Sequence, residues 1–402
     1  MSKGAQPLQF AAWGADEYWS ALRSVVTGRV ANGPDIGILQ HQLGEVYKPS
    51  TTLTVNAGRT ALRLALEVFS ARRPDRRRVL MPAYLCPSAV DVVRDLGLEP
   101  WPVEVGSDLN LNPDCLFFNG GVLAVVAAHM YGCPARIGEI ERRCRQADVF
   151  LIDDAAQVVG VRSHGRMLGT FGDAGVLSFA QSKTIVTGVR GSGGVLLINN
   201  MDFKPDLLRA HAKLSVPRNR LTSFILFLTE YLLASKLGSA GYYANRIAYA
   251  ILPAARINPY VPALLSNLEA AIAIAQLKRL PQIIVAKTRV ADLYAMTLSS
   301  IPSLKMPQSE PGRFLTRCFV EFSEPETALR VRRRLLEKKI STRTAYPAWS
   351  ECTDTADSDS IADRLVEMPS RLEMMEEDVV TIADYIRETL YSNRREPISE
   401  QP

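Results

Sequence analysis

The sequence predicts an α/β protein with a large, mostly parallel sheet flanked by helices and a smaller α+β unit at its C-terminal end. Three observations carry that expectation. Strand-like and helix-like stretches alternate from about residue 52 onward, the pattern of a sheet with helices on both faces. Several of the strand-like stretches are apolar throughout, "GVLAVVAAHMYG" above all, as a strand covered on both sides requires. The rhythm then changes near 290–312, which divides the chain into 1–290 and 291–402.

Residues 16–48 read as helical segments around the turn "TGRVANGP". "TTLTVNAGRTALRLALEVFS" gives a short strand, a glycine turn and a helix with Leu62, Ala65, Leu66 and Phe69 on one face,. "RRVLMPAY" is a strand, "CPSAVDVVRDLG" a helix closed by glycine, and "EPWPVEV" a further strand,. "ARIGEIERRCRQA" supplies a helix, and "VFLIDDAAQ" a buried strand ending in acids. "GDAGVLSFA" and "GGVLLINN" add two strands, and 205–290 reads as helical. Beyond 313, "RFLTRCFVEFS", the helix "PETALRVRRRLLEKK", "ISTRTAYP" and a last helix after "MPSRLEMMEEDV" build the smaller unit.

Composition narrows the function classes. The 402 residues carry a net charge of +5, with 47% hydrophobic and 22% charged residues, ordinary for a soluble globular chain. No basic stripe with interleaved aromatics signals nucleic-acid binding. The densest basic run, "RRPDRRR" at 72–78, reads as a solvated helix end and turn. Six cysteines show neither CxxC pairing nor metal spacing with the four histidines, so they read as reduced thiols, with no metal site. The N-terminus lacks the apolar run of a secretory signal, which points to the cytoplasm.

The chemistry gathers where strands end, the place open α/β sheets bind ligands. Gly58-Arg59-Thr60 opens a helix, a natural anion site because free N–H groups and the helix dipole face the ligand,. Ser178 adds a hydroxyl, and Asp153-Asp154 ends a buried strand, where an acid needs a cation,. Lys183 follows the strand "AGVLSFA". Desolvation lowers the pKa of such a lysine and makes it a nucleophile for carbonyl carbon. A phosphate cradle, a buried acid and a nucleophilic lysine together describe pyridoxal 5'-phosphate, whose ring acts as an electron sink and which a lysine carries as a Schiff base.

In order and spacing these motifs resemble the DegT/StrS family of sugar aminotransferases. "NAGRTALRLAL", "AAHMYGCPARIGEIERRC", "LIDDAAQVVGVRSHGRMLGTFGDAGVLSFAQSKTIVTG" and "NLEAAIAIAQLKRL" carry the likeness across roughly 15–390, interrupted around 205–262. The resemblance implies the type I fold of pyridoxal phosphate transferases and L-glutamate as amino donor. It implies a nucleotide-linked keto sugar as acceptor, aminosugar or polysaccharide biosynthesis as context, and a homodimer with active sites at its interface. By position, Lys183 is the catalytic lysine, Asp154 pairs with the pyridine nitrogen and Gln157 lies against the cofactor. Gly58, Arg59, Thr60 and Ser178 hold the phosphate, His129 stands beside the phenolic oxygen, and Asn267 reaches the partner's phosphate site. Arg343 and Tyr346 in "STRTAYP" are the expected substrate contacts.

Three departures stand out. Cys86 occupies the position where many relatives stack an aromatic ring on the cofactor, with Tyr84 two residues earlier as the substitute. "GVRGSGG" at 188–194 replaces an acidic glycine motif. The stretch 205–262 is long, apolar and basic, and reads as extra interface or lid, or as peripheral contact with the inner face of a membrane through 221–253,. Two alternatives therefore stay open: the same cofactor acting on a cyclitol or lipid-linked ketone, and a non-catalytic membrane-docking scaffold. Relatives that act as dehydratases lack the lysine, so Lys183 argues against that branch.

Overall fold

The computed structural model describes residues 13–189, 192–216, 260–306, 316–346 and 361–391, with 221, 223–225, 227, 228 and 349. Two helices, α1 (Ala15–Val26) and α2 (Asp35–Val46), precede the first strand. A seven-stranded sheet follows, built from β1 (Thr51–Val55), β2 (Arg78–Pro82), β3 (Glu99–Val103), β4 (Val122–Ala128), β5 (Phe150–Asp154), β8 (Ala174–Ser178) and β9 (Gly194–Ile198). Between β5 and β8 lies a hairpin of β6 (Arg162–Ser163) and β7 (Arg166–Met167). Its turn residues His164 and Gly165 take φ of 49° and 80°, the positive angles that a tight two-residue hairpin needs.

The sheet order is β1-β9-β8-β5-β4-β2-β3. Neighbours from β8 through β3 run parallel, while β9 runs antiparallel to both β8 and β1. Strand β4 shows why its sequence is apolar throughout. Ala124, Val126 and Ala128 face one core, and Val125 and Ala127 face the other, because successive strand side chains point to opposite faces. The first core is covered by α3 (Gly58–Arg72) and α4 (Pro87–Asp95), the second by α2, α5 (Ile137–Gln146) and α7 (Asn267–Lys278). Gly175 in β8 has no substitute. A Cβ there would fall 1.8 Å from the Gly169 carbonyl oxygen, inside any allowed contact.

The stretch expected to be helical from 205 to 290 is interrupted. After α6 (Lys204–Ala212), residues 260–266 lie outside any helix and run beside the end of β1. The Asn56 N–H donates to the Ala263 carbonyl at 2.9 Å and Leu264 N–H to Ser215 at 3.0 Å. The backbone here completes the glycine turn's hydrogen bonds, which a helix would withhold. Within 221–228, Phe224 and Phe227 are buried against Trp13, Val189 and Ile272. Most of the 221–253 segment expected to touch a membrane lies outside the described residues. Among those described, no helix is long and apolar enough to cross a membrane.

Helix α8 (Leu280–Leu298) continues through residue 290, so the change in pattern falls at its far end. The small sheet is β10 (Leu304–Lys305), β11 (Cys318–Phe322), β13 (Leu365–Met368) and β12 (Arg343–Thr344), in that order and all antiparallel. Helix α9 (Pro325–Glu337) packs against this sheet, and α10 (Glu376–Tyr391) packs against α9 and α8.

Candidate active site

The ends of β4, β5 and β8 and the start of α3 converge on one side of the sheet. Helix α3 begins after Ala57, which is extended and offers no side-chain cap. The Thr60 N–H turns back to the Ala57 carbonyl at 3.0 Å, and the positive end of the helix dipole is what the start of α3 offers an anion. Gly58 packs against the end of β8 so closely that a Cβ would stand 3.2 Å from Ser178 Cβ and 3.4 Å from the Leu177 carbonyl. Glycine turn and serine, 120 residues apart in sequence, are thus one feature in space.

The two acids at the end of β5 part company, as strand alternation dictates. Asp153 is fully buried and accepts from Gly169 N–H at 2.6 Å, Phe171 N–H at 3.1 Å and His129 Nε2 at 2.7 Å. Asp154 turns toward Lys183. Burial raises its pKa, while Lys183 and the Ala156 N–H oppose that rise. Lys183 itself is held below the ordinary lysine range by burial. Cys86 and Asp154 work against the shift and Arg317 adds to it. Ser182, just before it, takes a φ of 67°, a left-handed conformation that is costly for a residue with a Cβ.

Several expected roles change. His129 is 1% exposed and both ring nitrogens are engaged, Nε2 with Asp153 and Nδ1 accepting from Ala135 N–H at 2.9 Å. No nitrogen is left for a cofactor oxygen, so His129 anchors Asp153 instead. Asn267 is fully buried in its own chain. Its amide donates to the Arg29 carbonyl and Asp35 carboxylate and its oxygen accepts from Asp35 N–H. These bonds hold its amide within its own chain. The Thr60 hydroxyl bonds Asn56 and Tyr260, and the Arg59 guanidinium lies 4.0 Å over the Tyr260 ring. These two shape the turn, while Gly58 and Ser178 remain at its open side.

Cys86 is half-buried at the start of α4, its Sγ 3.2 Å from the Ser88 hydroxyl, and it neighbours both Lys183 and Tyr346. Tyr84 is buried, with its hydroxyl bonded to Tyr131 and accepting the Tyr346 N–H at 3.1 Å. Burial pushes Tyr84 up to about 12. Arg343 is exposed, its Nε 3.8 Å from Glu367. Sequence reasoning missed Tyr131, Arg317 and Glu367. Arg317 stands just before β11 and Glu367 within β13, and their meeting depends on a strand pairing no local signal announces.

The chemistry of this set suits pyridoxal phosphate. The α3 terminus with Gly58 and Ser178 would receive its phosphate, and Asp154 lies where a buried carboxylate needs a cation. Lys183 offers a desolvated amine. Gln157 is 6% exposed, and its Oε1 is buried without a hydrogen-bond partner, a donor-seeking atom at the site's edge.

A model of the DegT/DnrJ/EryC1/StrS aminotransferase family matches residues 14–226 and 256–387. GDP-perosamine synthase of Vibrio cholerae is 26% identical over 287 residues, 71% of this chain and 68% of that one. The dTDP-4-dehydro-2,3,6-trideoxy-D-glucose 4-aminotransferase of Saccharopolyspora spinosa is 25% identical over 374 residues, 89% of each. Among solved structures, a Helicobacter pylori aminotransferase of pseudoaminic acid biosynthesis superposes with a TM-score of 0.77 at 14% identity, over 96% of this chain and all of that one.

Proposed function

We propose, from the premise that the chain belongs to the DegT/DnrJ/EryC1/StrS aminotransferase family, that it moves an amino group from L-glutamate to the keto group of a nucleotide-linked sugar. The observation that carries the reading is the desolvated Lys183 facing Asp154, beside the Gly58–Ser178 anion cradle. The printed names of two relatives, one acting on a GDP sugar and one on a dTDP sugar, favour a nucleotide-linked acceptor.

Bound pyridoxal phosphate supplies an electron sink, which lets a proton leave the carbon that carries nitrogen. The protein's share of the chemistry follows from its own groups. Lys183, kept below its usual pKa by burial, holds a larger fraction of free amine near neutral pH. Its Nζ can therefore accept a proton and return it. The half-buried Asp154 carboxylate, with Lys183 beside it, would favour a protonated ring nitrogen. Gly58 and Ser178 orient the phosphate end, and the Tyr84, Tyr131 and Tyr346 rings exclude water on the small-domain side. The reading extends to a cytoplasmic homodimer working in aminosugar biosynthesis.

The test is the visible absorbance of purified protein with pyridoxal phosphate, before and after L-glutamate, beside Lys183→Ala. A band in wild type that shifts with glutamate, and no band in the variant, is the expected result. Keto-sugar nucleotides should then restore the original band. A band indifferent to glutamate overturns the donor, and no band at all overturns the cofactor.

A further inference from the structure

Arg317, at the entry to β11, is a buried cation that the mechanism above leaves unused. Its guanidinium and the Glu367 carboxylate on β13 have side chains only 4% and 2% exposed. They meet as a two-point pair, with Nε donating to Oε1 at 2.7 Å and Nη2 donating to Oε2. Nη1 donates to the Tyr346 hydroxyl at 3.2 Å. The same guanidinium lies 5.3 Å from the Tyr131 ring centroid and 5.5 Å from that of Tyr346. Tyr131 stacks on Phe319 at 3.9 Å, holds a φ of 53° and accepts the Thr316 and Arg317 N–H groups on its carbonyl. One guanidinium thereby ties Tyr131 to Tyr346, and Tyr84, bonded to both, completes a wall of three tyrosines from distant segments.

A buried ion pair seldom earns its place through stability, because apolar residues of similar size serve as well or better. We propose that Arg317, gripped by Glu367, is a positioning residue that sets the small-domain wall of the Lys183 pocket and stations a permanent positive charge beside the lysine amine. The charged or titratable groups that face Lys183 are Cys86 from the start of α4, Asp154 from β5 and Arg317 from β11. Arg317 alone among them is a cation, and it favours the free amine. Burial works against its own charge, but Glu367 outweighs burial and keeps the guanidinium protonated. The Glu367 carboxylate takes Nε and Nη2 of the guanidinium while Tyr346 takes Nη1, and Arg343 Nε lies 3.8 Å from the same carboxylate.

The inference rests on the proposed function only for the importance of Lys183, and its deciding test, made at the lysine amine, needs neither cofactor nor sugar. Reductive methylation of cofactor-free protein with formaldehyde, followed at Lys183 by mass spectrometry across pH, reports the ionisation of that amine. Removing the pair as Arg317→Met with Glu367→Met should raise the pH midpoint by about one unit. Glu367→Gln, which leaves the cation less compensated, should lower it. Arg317→Lys should keep the midpoint but raise KM for the acceptor more than it lowers kcat, since an ammonium cannot hold Glu367 and Tyr346 together. An unchanged midpoint in either folded Glu367 variant, or shifts of the same sign in both, overturns the proposal. Should the double variant not fold, the sign of the Glu367→Gln shift decides alone.

Discussion

Gly58 shows how much a single missing side chain can govern. Its α-carbon faces Ser178 across a gap that a methyl group would enter at 3.2 Å, tighter than comfortable contact. Gly58→Ala should therefore leave the fold intact, widen the turn and weaken pyridoxal phosphate binding about tenfold, or roughly 1.4 kcal/mol, as read by titration of the visible band. Asp154→Asn should keep the shape and remove the charge, and the expected result is a loss of about 100-fold or more in kcat with modest change in cofactor affinity. The sequence singled out Lys183, Asp154, Gln157, Gly58 and Ser178, and the structure puts them at or just past the ends of β5 and β8 and at the start of α3. What the sequence did not show is that hydrogen bonds within the chain already engage His129 and Asn267. His129 in particular was named for its nearness to the site, and it is near; its nitrogens are simply taken by Asp153 and Ala135.

At the level of elements, α8 carries a buried charge with consequences for stability. Lys287 is 5% exposed and donates to the Thr316 carbonyl at 3.2 Å, so α8 grips the segment that enters β11. Burial lowers its pKa to about 8, with Cys318, Glu367 and Glu373 opposing. Between about 8 and the ordinary 10.5 the unfolded chain holds the extra proton, so this group makes stability rise with pH through that window and costs a constant amount below it. That cost is roughly 3 kcal/mol. Lys287→Met should accordingly unfold at higher denaturant than wild type at pH 7, and its advantage should shrink as pH climbs from 8 toward 10.5. The elements of the large sheet were readable because two-sided burial makes strands such as β4 apolar end to end. The β6–β7 hairpin and the extended run 260–266 were not, since two-residue strands carry no periodicity and the second is shaped by the partners of Asn56 far away in sequence.

At the scale of the whole molecule, α1 presents an apolar face left exposed among the described residues. Trp19, Leu22 and Val26 are 67%, 49% and 76% exposed and fall on one side of the helix at i, i+3 and i+7. The expected homodimer would cover this face, so Trp19→Asp should raise the dimer dissociation constant about tenfold or more, measured by light scattering across a dilution series. The sheet order has a further implication, for how the protein is born. β1 finds its neighbour in β9, and Thr51 pairs with Ile198, so the first strand to leave the ribosome waits for the last strand of the sheet. The anion cradle is late for the same reason, since Gly194 packs against Ala57 and Gly58. A nascent chain that stops short of about residue 200 therefore has helices and parallel strands but no completed cradle, and long-range pairing of this kind is slow. Vectorial synthesis thus makes competence to take up the cofactor one of the final acts in building the large sheet.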